Sequence, residues 1–232
     1  MKPMVRRPVV LIHGALRSRL GLLPTARGLA RHGLHPYAFG YPSRRGRLGD
    51  HAARLHTFLA LRGLWTETDV PLGFLTHSMG ALVVRAFLAR GAGRRLPRPV
   101  RLVMLSPPNR GATLAARFAG RLHARLLYGD ALEELAPERV ARLGALPEGV
   151  AALVLAGGRG DQRGYNRWID GDDDGVVAVA DMPLAGAAFE FVGGWHALLQ
   201  WRPDLLARAA AFLAEDGEAN APVPGGGLEP PT

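Results

Sequence analysis

Apolar residues gather in a few unbroken runs along this chain, and those runs predict its elements. Pro8-Val9-Val10-Leu11-Ile12 is continuously apolar and rich in β-branched residues. Such a run fits a strand buried on both faces, as in a parallel sheet covered by helices. Val70-Pro71-Leu72-Gly73-Phe74-Leu75 reads as a second short buried strand, and Ala81 to Ala89 as a helix packed on most of its surface. Val150 to Ala156 is another apolar run, Phe189-Glu190-Phe191-Val192 reads as a last strand, and Arg202 to Leu213 as a closing helix. Pro203 suits the first turn of that helix, where a missing N–H costs nothing. The expected architecture is α/β: a mainly parallel central sheet with helices on both faces.

Chemistry enters at the junctions. Thr76-His77-Ser78-Met79-Gly80 lies between a strand-like and a helix-like run, with Ser78 flanked by small residues two positions before and two after. This is the layout of a nucleophile elbow, a turn so tight that it pushes the serine hydroxyl out of the sheet edge. The plainer reading is that Ser78 caps the helix. After the first strand come His13-Gly14-Ala15. In acyl-transfer hydrolases, that position and the residue after the nucleophile supply the oxyanion-hole amides, here those of Ala15 and Met79. An acid and a histidine should follow the serine in that order. Asp170-Gly171-Asp172-Asp173-Asp174-Gly175-Val176-Val177 is an acidic loop, and Gly193-Gly194-Trp195-His196 carries an imidazole.

On Ile12-His13-Gly14, Thr76-His77-Ser78-Met79-Gly80, Asp174-Gly175-Val176-Val177 and His196, the chain resembles the α/β-hydrolase superfamily, in particular its lipase-like bacterial serine esterases. Ser106-Pro107-Pro108-Asn109-Arg110-Gly111 is similar to a Pro-Asn-x-Gly stretch of the same group. The resemblance covers residues 8 to 214. It departs at Thr76, where Gly is usual, and at Ala81, where a second Gly is usual. It implies a Ser78–His196–Asp174 triad cleaving acyl esters through an acyl-enzyme, without metal or organic cofactor. Asp174 is preferred as the acid because it matches an Asp-Gly-x-Val pattern, with Asp172 the alternative. Acyl transfer or thioester hydrolysis would use the same acyl-enzyme. Deacylation of phospholipid or GPI-type substrates is a narrower variant. A non-catalytic binding module of the same fold normally lacks Ser or His, and both are present. His77, His13, Arg85 and Asn109 are read as packing or shaping residues, and His32, His35, His51, His56 and His123 as surface or packing residues.

Composition adjusts this picture only at its edges. With 232 residues, 48% of them hydrophobic, the chain can bury one good core. One domain over 1–214 is expected, with 215–232 as a disordered tail rich in Glu, Pro and Gly. Residues 112–146 hold two segments of helical spacing, Ala112 to Leu127 and Asp130 to Leu143, the second interrupted by Pro137. They fit either a small cap over Ser78 or ordinary covering helices. The acidic loop lacks the closing Glu of an EF-hand, so a calcium site is unneeded. The net charge of +9 comes from scattered arginines, with Lys2 the sole lysine. That spread argues against nucleic acid and leaves at most weak contact with anionic lipid. No run of eighteen apolar residues exists, so no stable membrane insertion is expected. The charged start is read as mature sequence, since cleavage would delete the first strand. The absence of cysteine leaves a cytoplasmic location as the default.

Overall fold

The computed structural model describes residues 7–91, 93, 95–118 and 126–215. The expected tail from 216 onward, and 119–125 of the expected helical segment, lie outside the described residues.

Six strands form one sheet: β1 (Pro8–Ile12), β2 (His35–Phe39), β3 (Leu72–His77), β4 (Val100–Leu105), β5 (Val150–Ala156) and β6 (Ala188–Phe191). Their spatial order is β2-β1-β3-β4-β5-β6, and every neighbouring pair is parallel. Successive strand residues point to opposite faces, and both faces are covered. Val9, Leu11, Leu75 and Val103 join Leu29 of α1 (Leu23–Arg31) and Leu206 and Phe212 of α7 (Pro203–Ala214). Val10, Ile12, Phe74 and Met104 join Leu55 of α2 (Leu48–Ala60) and Leu82 of α3 (Gly80–Ala89). This double coverage is why β1 and β5 read as unbroken apolar runs.

Element boundaries moved where pairing decided them. β3 begins at Leu72 rather than Val70 and runs on to His77, because Leu72 to His77 pair residue for residue with Val100 to Leu105. The Val70 carbonyl instead accepts a hydrogen bond from Arg98 Nε at 2.9 Å. β6 starts one residue early, at Ala188, opposite Leu153.

The stretch between β4 and β5 contains α4 (Thr113–Phe118), α5 (Ala131–Glu134) and α6 (Pro137–Ala141). Pro137 opens α6 in its first turn, so the second expected helix is two short ones. Leu132, Leu135 and Val140 are buried in the core. Glu134 Oε2 accepts from the Leu48 amide at 2.9 Å, and Asp130 Oδ2 from the Gly46 amide at 2.7 Å. These bonds fasten the segment to the start of α2.

The strand order places β2 and β3 on opposite sides of β1. A crevice therefore opens at the C-terminal ends of β1 and β3, the position where open α/β sheets bind ligands. Gly80, the first residue of α3, lies directly on β1's exit. A Cβ there would sit 2.7 Å from the Ile12 carbonyl oxygen and 2.8 Å from that of His13. Gly80→Ala should therefore destabilise the fold by about 2–3 kcal/mol in urea unfolding. Gly21→Ala, whose added carbon meets nothing within 4 Å, should stay within about 0.5 kcal/mol of wild type.

Candidate active site

β3 ends at His77, α3 begins at Gly80, and the chain reverses between them at Ser78. Ser78 has φ +54°, a left-handed conformation that non-glycine residues seldom adopt and that costs about 1–3 kcal/mol. Backbone bonds hold it there: its amide donates to Leu105 O at 2.9 Å, and its carbonyl accepts from the Ala81 amide at 3.0 Å. Ser78 does not cap α3. Met79 precedes that helix, and no side-chain cap bond is made. Thr76 fits where Gly is usual because its hydroxyl turns to Val103 O, 3.2 Å away on β4. Gly14 closes over the turn, since a Cβ there would stand 2.8 Å from Ser78 Cβ.

Beyond Gly14 the loop is braced from β2's side. His13 stacks on Tyr41 at 4.4 Å, and the Tyr41 hydroxyl donates to His13 O at 2.8 Å. Assigning the ring proton to His13 Nδ1 lets it donate to Gly14 O at 2.9 Å and leaves Nε2 to accept from the Tyr41 amide at 3.4 Å. Burial lowers the His13 pKa, which favours this neutral form. Among the described residues, no protein acceptor takes the amide of Ala15 or of Met79.

The consecutive aspartates divide their work by backbone contacts. Asp172 accepts from the Arg159 and Gly160 amides at 2.8 and 2.9 Å, fixing the loop after β5. Asp173 is fully buried and accepts from the amides of Gly175, at 2.6 Å, and Asn166, at 3.1 Å. Burial raises its pKa. Asp174 alone meets the histidine: its Oδ2 lies 2.6 Å from His196 Nδ1, while Oδ1 accepts from the Val176 and Val177 amides at 3.0 and 2.8 Å. Burial pushes the Asp174 carboxyl up. The bonds from His196, the Val177 amide and the Ser106 hydroxyl outweigh it and hold the group below the ordinary carboxylate value. The His196 amide also donates to Asp174 O at 2.8 Å, locking the two loops together. The three carboxylates thus face different amides, and among the described residues no group of three or more His, Cys, Asp or Glu could hold a metal ion.

Ser78 and His196 are both nearly buried, at 8% exposure. No hydrogen bond joins them in this structure, a looseness common before a substrate is seated.

Two further residues join the site. Ser106, where β4 ends, is fully buried with φ +43°. Its hydroxyl accepts from the Gly157 amide at 3.0 Å and helps to hold the Asp174 carboxyl below its ordinary value. His77, read from sequence as packing, directs Nε2 at His196 O, 2.8 Å away, with ring centroids 4.7 Å apart. A proton assigned to Nε2 makes His77 the donor, tying the residue before Ser78 to the backbone of His196. The signal available in the sequence was position: both residues end strands at the sheet's C-terminal edge. Arg85 and Asn109 are structural. Arg85 donates to Asn109 O at 2.9 Å and Gly144 O at 3.0 Å, and Asn109 Nδ2 to Met182 O at 2.8 Å.

Known structures share this arrangement of elements. A Bacillus licheniformis lipase in its mature form superposes with a TM-score of 0.64 at 17% identity, over 88% of this chain and 89% of that one. A metagenomic carboxyl esterase gives 0.70 at 17% identity, over 89% and 74%. An alpha/beta hydrolase fold protein from Nakamurella multipartita gives 0.53 at 17%, over 90% and 92%. No family model matches the sequence, and no curated protein matches it. The chain has the α/β-hydrolase fold.

Burial lowers the His77 pKa to about 3, assisted by the neighbouring His196. Below its unfolded pKa of about 6.5 the unfolded chain takes a proton that the folded chain refuses, so His77 costs stability as pH falls toward the folded value. Between pH 7 and pH 5 this amounts to about 2 kcal/mol. His77→Gln should lose that much less stability over the same interval, read from urea unfolding at both pH values.

Proposed function

We propose that this protein is a serine hydrolase of carboxylic (acyl) esters, with Ser78 as nucleophile, His196 as general base and acid, and Asp174 as the orienting acid. The observation that carries the reading is the left-handed turn at Ser78, set at the strand-order crevice and tied through His77 to a histidine already paired with a buried carboxylate. The lipase and carboxyl esterase among the structural neighbours accord with it.

In this reading Ser78 Oγ attacks the ester carbonyl carbon as its proton passes to His196 Nε2. An unassisted serine hydroxyl is a poor nucleophile, so this transfer is required. Asp174 keeps the Nδ1–H tautomer and stabilises the imidazolium. The negative charge that develops on the carbonyl oxygen is met by the amides of Ala15 and Met79, each worth about 3–4 kcal/mol to the transition state. The C–O bond then breaks, and His196 returns the proton to the leaving alcohol. Water, deprotonated by His196, attacks the acyl-enzyme and releases the acid and free Ser78. Ser106 and His77 act as positioning residues, one on the Asp174 carboxylate and the other on the His196 backbone.

The test is the hydrolysis of a p-nitrophenyl ester series. Ser78→Ala and His196→Ala should lower kcat by at least about 10⁴-fold, and Asp174→Asn by about 10⁴-fold through the wrong tautomer. Asp172→Asn should stay within about tenfold of wild type, because it leaves the imidazole's partner in place. Equal losses in the Asp172 and Asp174 variants would remove the assignment of the acid.

A further inference from the structure

Eleven large apolar side chains are well exposed among the described residues, and six of them fall within 16–23 and 195–201: Leu16, Leu20, Leu23, Trp195, Leu198 and Trp201. The first of these segments directly follows the Gly14-Ala15 loop, and the second contains His196. They also touch each other. Trp201 Nε1 donates to Gly21 O at 3.1 Å, Arg17 donates to Ala197 O at 3.5 Å, and the Arg17 guanidinium lies 5.4 Å from the Trp201 ring centroid. Scattered surface leucines are ordinary, but a cluster of leucine and tryptophan around one crevice marks an interaction surface.

The charge around the cluster selects its partner. From residue 1 to residue 49 the chain carries ten Lys and Arg and no Asp or Glu. Arg19, Arg27 and Arg31 are exposed on or beside the same segment. In 195–203 the only charged side chain besides His196 is Arg202, paired with Asp204. Leucine and tryptophan interleaved with arginine, without acid, is the composition that enters the boundary between headgroups and acyl chains of an anionic bilayer. A second copy of the chain fits poorly, since a two-fold contact would press this cationic patch against itself.

We propose that the rim formed by 16–23 and 195–201 docks the protein on anionic lipid surfaces, holding the Ser78 crevice against the bilayer. Leucine and tryptophan side chains partition into the boundary region, and arginines bind the headgroup charge. No helix among the described residues is long and apolar enough to cross a membrane, so the contact is peripheral.

The test uses the full chain carrying Ser78→Ala, so it stands independently of the catalytic reading. Co-sedimentation is measured with vesicles of phosphatidylcholine alone and of phosphatidylcholine mixed with phosphatidylglycerol. Binding should require the anionic lipid, fall with added salt and shift tryptophan emission to the blue. The double variant Leu20→Ser/Leu198→Ser, verified as folded by its unfolding midpoint, should partition at least about tenfold less. Leu61→Ser, 79% exposed elsewhere on the surface, should partition like the parent. Absence of binding to the mixed vesicles, or equal binding by the double variant, would overturn the proposal. So would a dimer in sedimentation velocity that the double variant abolishes without any vesicle binding.

Discussion

The site depends on how closely β1's exit crosses the turn at Ser78. Two contacts define that crossing: Gly80 against the Ile12 and His13 carbonyls, and Gly14 against Ser78 Cβ. Neither position has room for a side chain, so the start of α3 and the loop after β1 share one tight space. That compression keeps Ser78 left-handed, sustained by its bonds to Leu105 and Ala81. In the proposed reading it also brings the amides of Ala15 and Met79, which no protein acceptor takes among the described residues, to the same crevice. Local strain of this kind persists only where the surroundings over-determine it. Here the fully buried strand β3, which leads into the turn, and its fully buried neighbour β4 provide that determination.

On the far side of the crevice, burial creates the need for hydrogen bonds and backbone amides supply them. Burial alone would push Asp174 toward the neutral acid, which could not hold an imidazolium. His196 itself, the Val177 amide and the Ser106 hydroxyl reverse that tendency. Asp173, one residue earlier, lies in the same sequence pattern, but its burial prevails over its amides and its pKa rises. Neighbouring aspartates are thus separated by their partners rather than by their chemistry.

Much of the fold was legible in the sequence because double-faced burial writes continuous apolar runs. Pro8–Ile12 and Val150–Ala156 match the structure residue for residue. β2 was not legible. His35-Pro36-Tyr37-Ala38-Phe39 is an edge strand only half-buried along most of its length, so neither alternation nor an apolar run marks it, and a proline is tolerated there. Among site residues, Ser78, Asp174 and His196 were readable as candidates from order and spacing. The contacts of Ser106 and His77 were not, because each partner lies on a distant segment: Gly157 beyond β5, and His196 119 residues after His77. A contact made by tertiary pairing leaves no local pattern.

Both loops that frame the crevice also carry the exposed leucines and tryptophans, so catalysis and surface contact would share the same few residues of backbone. The central claim is that Ser78 is an activated nucleophile, and a fluorophosphonate probe reads this without any assumption about substrate. Intact-mass analysis and peptide mapping of the folded protein should find one adduct, on Ser78. It should be absent in Ser78→Ala and at least about 10³-fold slower in His196→Ala. Folded wild-type protein that stays unlabelled, or an adduct on any other residue, would contradict the account.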